Sequence, residues 1–313
     1  MSDIHVTIII LNWNHSQDTL NCLESLATND IYQPTLIMDG QHEGEMVHTT
    51  SLVVDNGSTD NSVVAIREAY PDITIMELDD NLGFAAGMNR GIQTELQKGA
   101  DYVLLLNNDT LVSPNFVAHM LECVSYRVGL VAPFVYYVDP SDEIWSMGHN
   151  FNRLLWEIND VDYDVHINSS ENIVCDAITG CAMLIKRSVI EEIGFFDERF
   201  FMYYEDLDFC IRAGNHGYET VVTPHAKIWH HVSKSTGGRN SPAERFHIAL
   251  SGGRYYSKWM RPWQAPVIIS YRLLSALRCT LRLSRQGKWR ALGAYWRGLR
   301  YGWLGDINRV YSM

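Results

Sequence analysis

Tyr102-Val-Leu-Leu-Leu-Asn-Asn-Asp-Thr110 is the most informative segment of the chain for its fold. Its apolar part is typical of a buried strand. The strand runs directly into Asn107, Asn108 and Asp109, so oxygen ligands follow a rigid support. Mg²⁺ and Mn²⁺ favour such ligands, especially where substrate phosphates complete the shell. The alternative is an ordinary turn, because Asn and Asp are common turn residues. This stretch alone leaves both interpretations open.

The first half of the chain alternates strand and helix patterns. Apolar runs and helical periodicity predict strand, helix, strand, helix, strand, helix and strand, in that order, at residues 6–11, 16–27, 52–54, 60–70, 73–78, 85–98 and 102–106. Asp60 or Ser58 is the expected N-cap of the second helix. This order predicts an α/β fold with a mostly parallel sheet flanked by helices.

Polar clusters follow four of the predicted strands directly, at residues 12–14, 55–60, 79–83 and 107–109. In a parallel α/β sheet the ligand crevice lies beyond the carboxyl ends of the strands. We therefore expect a binding site there. Residues 28–51 and 139–170 lack periodicity and are interpreted as surface segments. Trp145 and Trp156 of the second segment are candidates either for stacking on a ligand or for the core.

Charge is divided unevenly along the chain. The formal net charge is −12, yet the residues from Arg254 onward hold twelve Lys or Arg and one acid, Asp306. That region carries +11, whereas the preceding part carries −23. Cations interleaved with tryptophans suit the headgroup layer of an anionic membrane. The alternatives are a solvated basic face and nucleic acid, for which no recognition motif is present.

No segment predicts a transmembrane helix or a signal peptide. The apolar run at residues 265–270 is far shorter than a bilayer span, and residues 1–5 lack a basic n-region. The six cysteines form no CxxC pair, which favours reduced thiols over a disulfide or zinc framework. We therefore expect a cytoplasmic protein, peripheral at the inner face of the cell membrane.

Eight motifs occur in a characteristic order: Leu11-Asn-Trp-Asn14, Val53-Val-Asp-Asn-Gly-Ser-Thr-Asp60, Asn81-Leu-Gly-Phe-Ala-Ala-Gly-Met-Asn-Arg-Gly91, Leu104-Leu-Leu-Asn-Asn-Asp109, Thr179-Gly-Cys-Ala-Met183, Gly194-Phe-Phe-Asp197, Tyr204-Glu-Asp-Leu-Asp-Phe209 and Trp229-His-His231. Together they resemble the inverting glycosyltransferases of family 2, which have the GT-A nucleotide-sugar-binding fold. We therefore expect a GT-A catalytic domain at residues 1–240, followed by a basic, aromatic-rich helical region at residues 241–313.

The resemblance implies a set of residues that bind the donor. Asp55 is implied to bind the base or ribose. Gly83 permits close approach of the backbone to the diphosphate, and Arg90 neutralises phosphate charge. The other implied substrate-binding residues come from the same motifs: Asn12, Asn14, Asn81, Asn107, Asn108, Thr179, Gly180 and Cys181.

The resemblance also implies a divalent cation, Mg²⁺ or Mn²⁺. Residues 107–109 occupy the position of the family's Asp-x-Asp motif, with Asn107 in place of the first carboxylate. Asp109 is then the main metal ligand, and Asn107 contacts ribose or metal-bound water. His230 matches a histidine that completes the metal shell in several relatives.

Catalysis is implied to depend on a second carboxylate cluster. Asp206 matches the base that deprotonates the acceptor hydroxyl, and Glu205 is implied to orient the acceptor or the base. Asp208 and Arg212 are four residues apart, so an ordinary helical ion pair accounts for them.

The motifs at residues 11–14 and 229–233 are most similar to those of bacterial rhamnosyltransferases of polysaccharide assembly. The implied donor is dTDP-L-rhamnose, and the implied acceptor is a saccharide or lipid-linked saccharide. One alternative is a nucleotidyltransferase on a related fold, which predicts a Gly- and Arg/Lys-rich loop where this chain has residues 12–15. Another is a non-catalytic nucleotide-sugar-binding or scaffold protein. Asn107 favours it, whereas the intact Asp109, Asp206 and His230 oppose it.

Overall fold

A computed structural model describes residues 3–162, 170–231 and 238–305 of the chain. The strands are β1 (Ile4–Asn12), β2 (Thr35–Leu36), β3 (Met46–Asp55), β4 (Thr74–Glu77), β5 (Tyr102–Asn107), β6 (Thr110–Val112), β7 (Val128–Tyr137), β8 (Ile144–Ser146), β9 (His149–Asn152), β10 (Glu157–Asp160), β11 (Ile173–Cys175), β12 (Ala182–Lys186) and β13 (Glu219–His230). The helices are α1 (Ser16–Thr28), α2 (Ser62–Ala69), α3 (Gly83–Gln97), α4 (Phe116–Leu121), α5 (Arg187–Ile193), α6 (Glu205–Asn215), α7 (Pro242–Trp259), α8 (Ala265–Arg285) and α9 (Trp289–Leu304).

The main sheet has the strand order β11-β13-β7-β12-β5-β1-β3-β2, with β4, β6 and β8 attached to β3, β13 and β7. The strands β5, β1, β3 and β4 pair in parallel, as the first half of the sequence predicts. Strand β12 then inserts antiparallel between β5 and β7, which makes the whole sheet mixed. The predicted α/β class is confirmed.

Strands β1 and β5 and the second half of β3 are buried on both faces, which explains their continuous apolar runs. On one face, Ile8 and Leu104 belong to a core cluster that also contains Leu23 of α1. On the other face, α3 lies so close to β1 that a Cβ at Gly91 would come within 2.7 Å of the Ile9 Cγ2 atom. A glycine at this helix position therefore allows the close approach of helix and strand.

Three local predictions differ from the structure. Strand β3 begins at Met46, whereas the predicted strand covers only residues 52–54. The first residues of β3 alternate between more and less buried side chains, and this pattern is less evident in the sequence than the apolar run at its end. The N-cap of α2 is Asn61, and the Ser58 side chain instead binds Asp55. Residues 139–170 contain β8, β9 and β10, although residues 163–169 lie outside the described part.

The chain forms two compact units. The first comprises Met1–Asn150, Asp160–Phe196 and Asp206–Val232; the second comprises Phe151–Asn159, Asp197–Glu205 and Ser233–Met313. The boundary expected near residue 240 stays a prediction.

Helices α7 and α9 of the second unit pack closely. A Cβ at Gly298 would come within 2.3 Å of the Phe246 carbonyl oxygen, so only glycine fits this crossing. Among the described residues, no helix is long and apolar enough to span a bilayer.

Candidate active site

The carboxyl ends of β1 and β3 hold a buried polar cluster. Asn12 lies beside Asp55 in the parallel register, and its Nδ2 donates to Asp55 Oδ2 at 2.7 Å and to Ser58 Oγ at 3.1 Å. Ser58 donates to both Asp55 oxygens, from its backbone nitrogen at 2.9 Å and from its hydroxyl at 2.6 Å. Asp55 therefore has the turn-stabilising role expected of a strand-end aspartate, and the same bonds fix its carboxylate.

A second set of bonds joins β3 to the start of α3. Asn56 donates to Asn81 Oδ1 at 3.0 Å and accepts from the Leu82 backbone nitrogen, also at 3.0 Å. Asn81 Oδ1 also accepts from the Gly83 nitrogen at 2.9 Å, and Gly83 has φ +83°, where a side chain is unfavourable. The loop before α3 is thus held rigidly next to Asp55.

The short strand β6 brings His230 to Asp109. It follows Asp109 directly and pairs antiparallel with the end of β13, so that His230 lies opposite Thr110. The His230 Nε2 atom lies 3.1 Å from Asp109 Oδ1 and 3.3 Å from Asn107 Nδ2. The predicted site residues Asn107, Asp109 and His230 therefore lie together, although Asn107 and His230 are 123 positions apart in the sequence.

The Asp109 and His230 pair fits a divalent cation better than a hydrogen bond. Both residues are buried, and Asp109 Oδ1 has no hydrogen-bond partner among the described residues. A buried carboxylate oxygen in that state is unfavourable unless a cation satisfies it. Carboxylate and imidazole are ligands that Mn²⁺ and related ions accept. The described residues place no third His, Cys, Asp or Glu at a shared metal position, so most of the shell would come from elsewhere.

Thr19 of α1 connects the two polar clusters. Its hydroxyl donates to Asn12 Oδ1 at 2.7 Å and accepts from Asn108 Nδ2 at 3.0 Å. Hydrogen bonds therefore run from Asp55 through Asn12 and Thr19 to Asn108, beside the metal-binding candidates. Sequence reasoning missed Thr19 and Asn56, because the identity of a helix or turn residue does not indicate a hydrogen-bond partner in a distant segment.

Asp206 lies on α6 and is fixed by backbone donors. Its Oδ2 accepts from the Gly180 nitrogen at 3.0 Å, and its Oδ1 accepts from the Leu207 nitrogen at 2.8 Å. Burial raises the pKa of the Asp206 carboxyl above its ordinary value, and these donors and the nearby His149 offset that effect only in part. A carboxylate with a raised pKa is a better proton acceptor than an ordinary aspartate.

The Thr179–Cys181 segment lies between the two carboxylates. The Cys181 carbonyl accepts from the Asn107 nitrogen at 2.8 Å, and the Cys181 thiol is 2.9 Å from the Thr179 hydroxyl. Burial raises the pKa of that thiol to about 12, and the nearby charges of Asp109 and Asp206 add to the effect. The thiol is therefore protonated near neutral pH. The backbone of residues 180 and 181 connects the strand that carries Asn107 to the Asp206 carboxylate.

The residues flanking Asp206 differ in role. Glu205 is buried at the first position of α6, after Tyr203 and Tyr204, whose φ angles of 67° and 70° are unusual for non-glycine residues. Such strained backbone is often found where a site must hold one geometry. The predicted ion pair is confirmed, because Arg212 Nε donates to Asp208 Oδ2 at 3.0 Å.

Three other sequence candidates have simple placements. The Asn14 backbone nitrogen donates to Ser58 Oγ at 2.9 Å, and its side chain accepts from the Thr59 nitrogen at 2.8 Å. Arg90 is exposed on α3, about 10 Å along the helix axis from Gly83. The Trp145 ring lies edge-on to His230, with ring centroids 4.9 Å apart, so it supports that imidazole.

Comparison with known proteins identifies the family. Residues 7–194 match the model described as glycosyl transferase family 2, and residues 102–303 match that described as glycosyl transferase family group 2. The chain is 30% identical over 274 residues to N-acetylglucosaminyl-diphospho-decaprenol L-rhamnosyltransferase of Mycobacterium tuberculosis, covering 76% of this chain and 86% of that one. It is 23% identical over 248 residues to the dTDP-rhamnosyl transferase RfbF of Shigella flexneri, covering 75% and 79% respectively.

Solved structures share the fold. A GalNAc-T7 structure with UDP, GalNAc and Mn²⁺ has a TM-score of 0.57 at 13% identity, covering 82% of this chain and 50% of that one. The mannosyltransferase PcManGT of Pyrobaculum calidifontis, in complex with GDP-Man and Mn²⁺, has a TM-score of 0.54 at 15% identity, covering 98% and 77%. The predicted GT-A fold and the predicted family are thereby confirmed: the chain belongs to glycosyl transferase family 2 and is a glycosyltransferase.

Proposed function

We propose that the chain transfers L-rhamnose from dTDP-L-rhamnose to a saccharide or lipid-linked saccharide, with inversion at the anomeric carbon. The observation that carries the proposal is Asp206, whose carboxylate is fixed by two backbone N–H groups and has a raised pKa. We place it in the same site as Asp109, because the adjacent residues Gly180 and Cys181 bond to Asp206 and to Asn107 respectively. The rhamnosyl relatives support the choice of donor.

Asp206 is the proposed base. The acceptor hydroxyl gives its proton to the Asp206 carboxylate while its oxygen attacks the anomeric carbon of the donor sugar. The bond from that carbon to the diphosphate oxygen breaks on the opposite face, so the configuration inverts. Glu205, one residue before the base, is proposed to orient the acceptor or the base. The Gly180 and Leu207 donors hold the base carboxylate in one position throughout.

Asp109 and His230 are the proposed ligands of a Mg²⁺ or Mn²⁺ ion. Asp109 Oδ1, which has no hydrogen-bond partner among the described residues, and the Mn²⁺ named with two structures of the same fold support this assignment. When bound, such an ion neutralises charge that develops on the departing diphosphate. Asn107, 3.3 Å from the His230 ring, is proposed to contact ribose or metal-bound water.

The remaining candidates are proposed to bind the donor. Asp55 is proposed to bind the base or ribose, and the rigid loop at Asn81 and Gly83 to line the nucleotide. Arg90, exposed on α3, is proposed to neutralise phosphate. The other residues proposed to bind the donor lie in segments that are connected to the site by the hydrogen bonds described above. They are Asn12, Asn14, Asn108, Thr179, Gly180 and Cys181.

A lipid-linked acceptor places the reaction at a membrane. The name of the M. tuberculosis relative includes a diphospho-decaprenol acceptor, which supports that acceptor class for this chain. We propose that the protein is peripheral at the cytoplasmic face of the cell membrane and that its basic C-terminal region makes the contact.

A donor panel tests the proposal. Binding of dTDP-rhamnose, UDP-glucose, UDP-galactose and GDP-mannose is measured by calorimetry with and without Mn²⁺ or Mg²⁺. We expect dTDP-rhamnose to bind at least about tenfold more tightly than the others, a difference of about 1.4 kcal/mol, and only with the cation present. Preference for another donor overturns the rhamnose assignment, and metal-independent binding overturns the role of Asp109 and His230.

A further inference from the structure

One face of helix α8 packs against other residues of the second unit. Ile268, Ala276 and Leu283 are buried, and they recur at the spacing of one helix face. Arg272, on the same face, donates to Glu157 Oε1 at 2.7 Å, and its guanidinium lies 4.6 Å from the Tyr256 ring centroid. Tyr256 donates to the same Glu157 oxygen at 2.7 Å. These bonds fix α8 within its unit and leave its opposite face outward.

The opposite face of α8 is apolar and exposed. Val267, Leu274 and Leu281 recur every seven residues and are 48%, 47% and 49% exposed, and Leu273 and Leu277 beside them are 64% and 54% exposed. At 100° per residue all five fall within an arc of about 120°. We call this row the outer face of α8. Exposed apolar rows of this kind mark surfaces that contact another apolar phase.

The flank of the outer face is cationic. Arg278, Arg282 and Arg285 are all exposed. At 100° per residue, Arg285 falls at the edge of the outer face, Arg278 about 20° beyond that edge and Arg282 about 60° beyond it. No Asp or Glu occurs between Glu244 and Asp306 in the sequence. Trp263 just before α8 and Trp289 just after its end are 64% and 65% exposed. A helix that lies in the plane of a membrane interface has these features: an apolar row, arginines along its flank and tryptophans near its ends.

We infer that the outer face of α8 docks onto an anionic bilayer, with α8 in the plane of the headgroups and its leucines toward the acyl chains. This rests on the proposed function, because it specifies which surface meets the membrane that holds a lipid-linked acceptor. A second copy of the chain is the other candidate occupant of an apolar row. Two such faces would bring the arginines of both copies together without acids to neutralise them, whereas anionic lipids complement them.

Vesicle co-sedimentation with the full chain tests the inference. The triple variant Leu274→Gln, Leu277→Gln and Leu281→Gln is compared with a matched control, Met38→Gln with Val64→Gln, which changes exposed apolar residues of the first unit. Vesicles are phosphatidylcholine with or without phosphatidylglycerol. We expect the wild type to sediment only with anionic vesicles, the triple variant to lose about a hundredfold in partitioning, and the control to behave as wild type.

A charge variant and two further readouts complete the test. Arg278→Gln with Arg282→Gln and Arg285→Gln is expected to lower partitioning about fivefold for each cation removed. Thermal unfolding of each variant stays at the wild-type temperature, since the altered side chains are exposed. Equal binding by the leucine triple variant overturns the inference. The inference is also overturned if sedimentation velocity shows that the wild type is a dimer and the leucine triple variant is a monomer. If the protein binds vesicles but does not bind dTDP-rhamnose, the result contradicts the proposed function and still supports the docking surface.

Discussion

Replacing Asn12 with alanine should destabilise the protein severely, although the residue is a neutral amide. Its buried side chain donates to Asp55 at 2.7 Å and to Ser58 at 3.1 Å, and it accepts from Thr19 at 2.7 Å. A hydrogen bond to a charged group contributes about 1.5–3 kcal/mol and a neutral one about 0.5–1.5 kcal/mol. Asp55 keeps two bonds from Ser58, so its carboxylate is not left unsatisfied. We expect Asn12→Ala to lower the free energy of unfolding by about 4 kcal/mol.

Urea denaturation followed by circular dichroism measures that loss. The matched control is Asn21→Ala on α1, because Asn21 is exposed and accepts a hydrogen bond from the nearby Gln17 at 2.9 Å. The control should change the free energy of unfolding by less than about 0.5 kcal/mol. If Asn12→Ala is no more destabilising than Asn21→Ala, the buried cluster at the ends of β1 and β3 does not hold the site together.

Three further outcomes follow from the site. Because the Asp206 carboxyl must be ionised to accept a proton and its pKa is raised, transfer should decline as pH falls through a value above the ordinary 3.8; a pH–rate profile flat down to that value contradicts this. Asp109→Asn and His230→Ala should each weaken Mn²⁺-dependent binding of dTDP by at least about tenfold in calorimetry, and unchanged affinity excludes them as ligands. Arg212→Met should lower the free energy of unfolding by about 3 kcal/mol, since it removes the ion-pair partner of the fully buried Asp208, and a loss under about 1 kcal/mol in urea titration refutes that.

The sequence predicts the part of the fold that depends on local patterns. The strands at 6–11 and 102–106 and the helices between them were recognisable because apolar runs and helical periodicity are properties of neighbouring residues. Strand-end polar residues also predict that Asn12 and Asp55 lie at one edge, since parallel strands bring their carboxyl ends together.

The rest of the site depends on contacts that no local pattern contains. His230 reaches Asp109 only because the three-residue strand β6 pairs with the end of β13, and a strand that short leaves little signal in the sequence. The sequence around Thr19 is typical of an ordinary helix. Its hydroxyl nevertheless bonds both Asn12 and Asn108, and Asn108 is 89 positions from Thr19. The Gly180 donor to Asp206 likewise depends on how two distant segments meet.

The measurement that tests the central claim most directly is sugar transfer by Asp206→Asn. Transfer of labelled rhamnose from dTDP-rhamnose to a lipid-linked saccharide is followed in a single turnover, with Asp72→Asn, an exposed carboxylate, as control. We predict that Asp206→Asn slows transfer by about 10²–10⁴-fold while donor affinity stays unchanged, and that the control transfers at the wild-type rate. An Asp206→Asn protein that transfers sugar within about tenfold of the wild-type rate would contradict its role as the base.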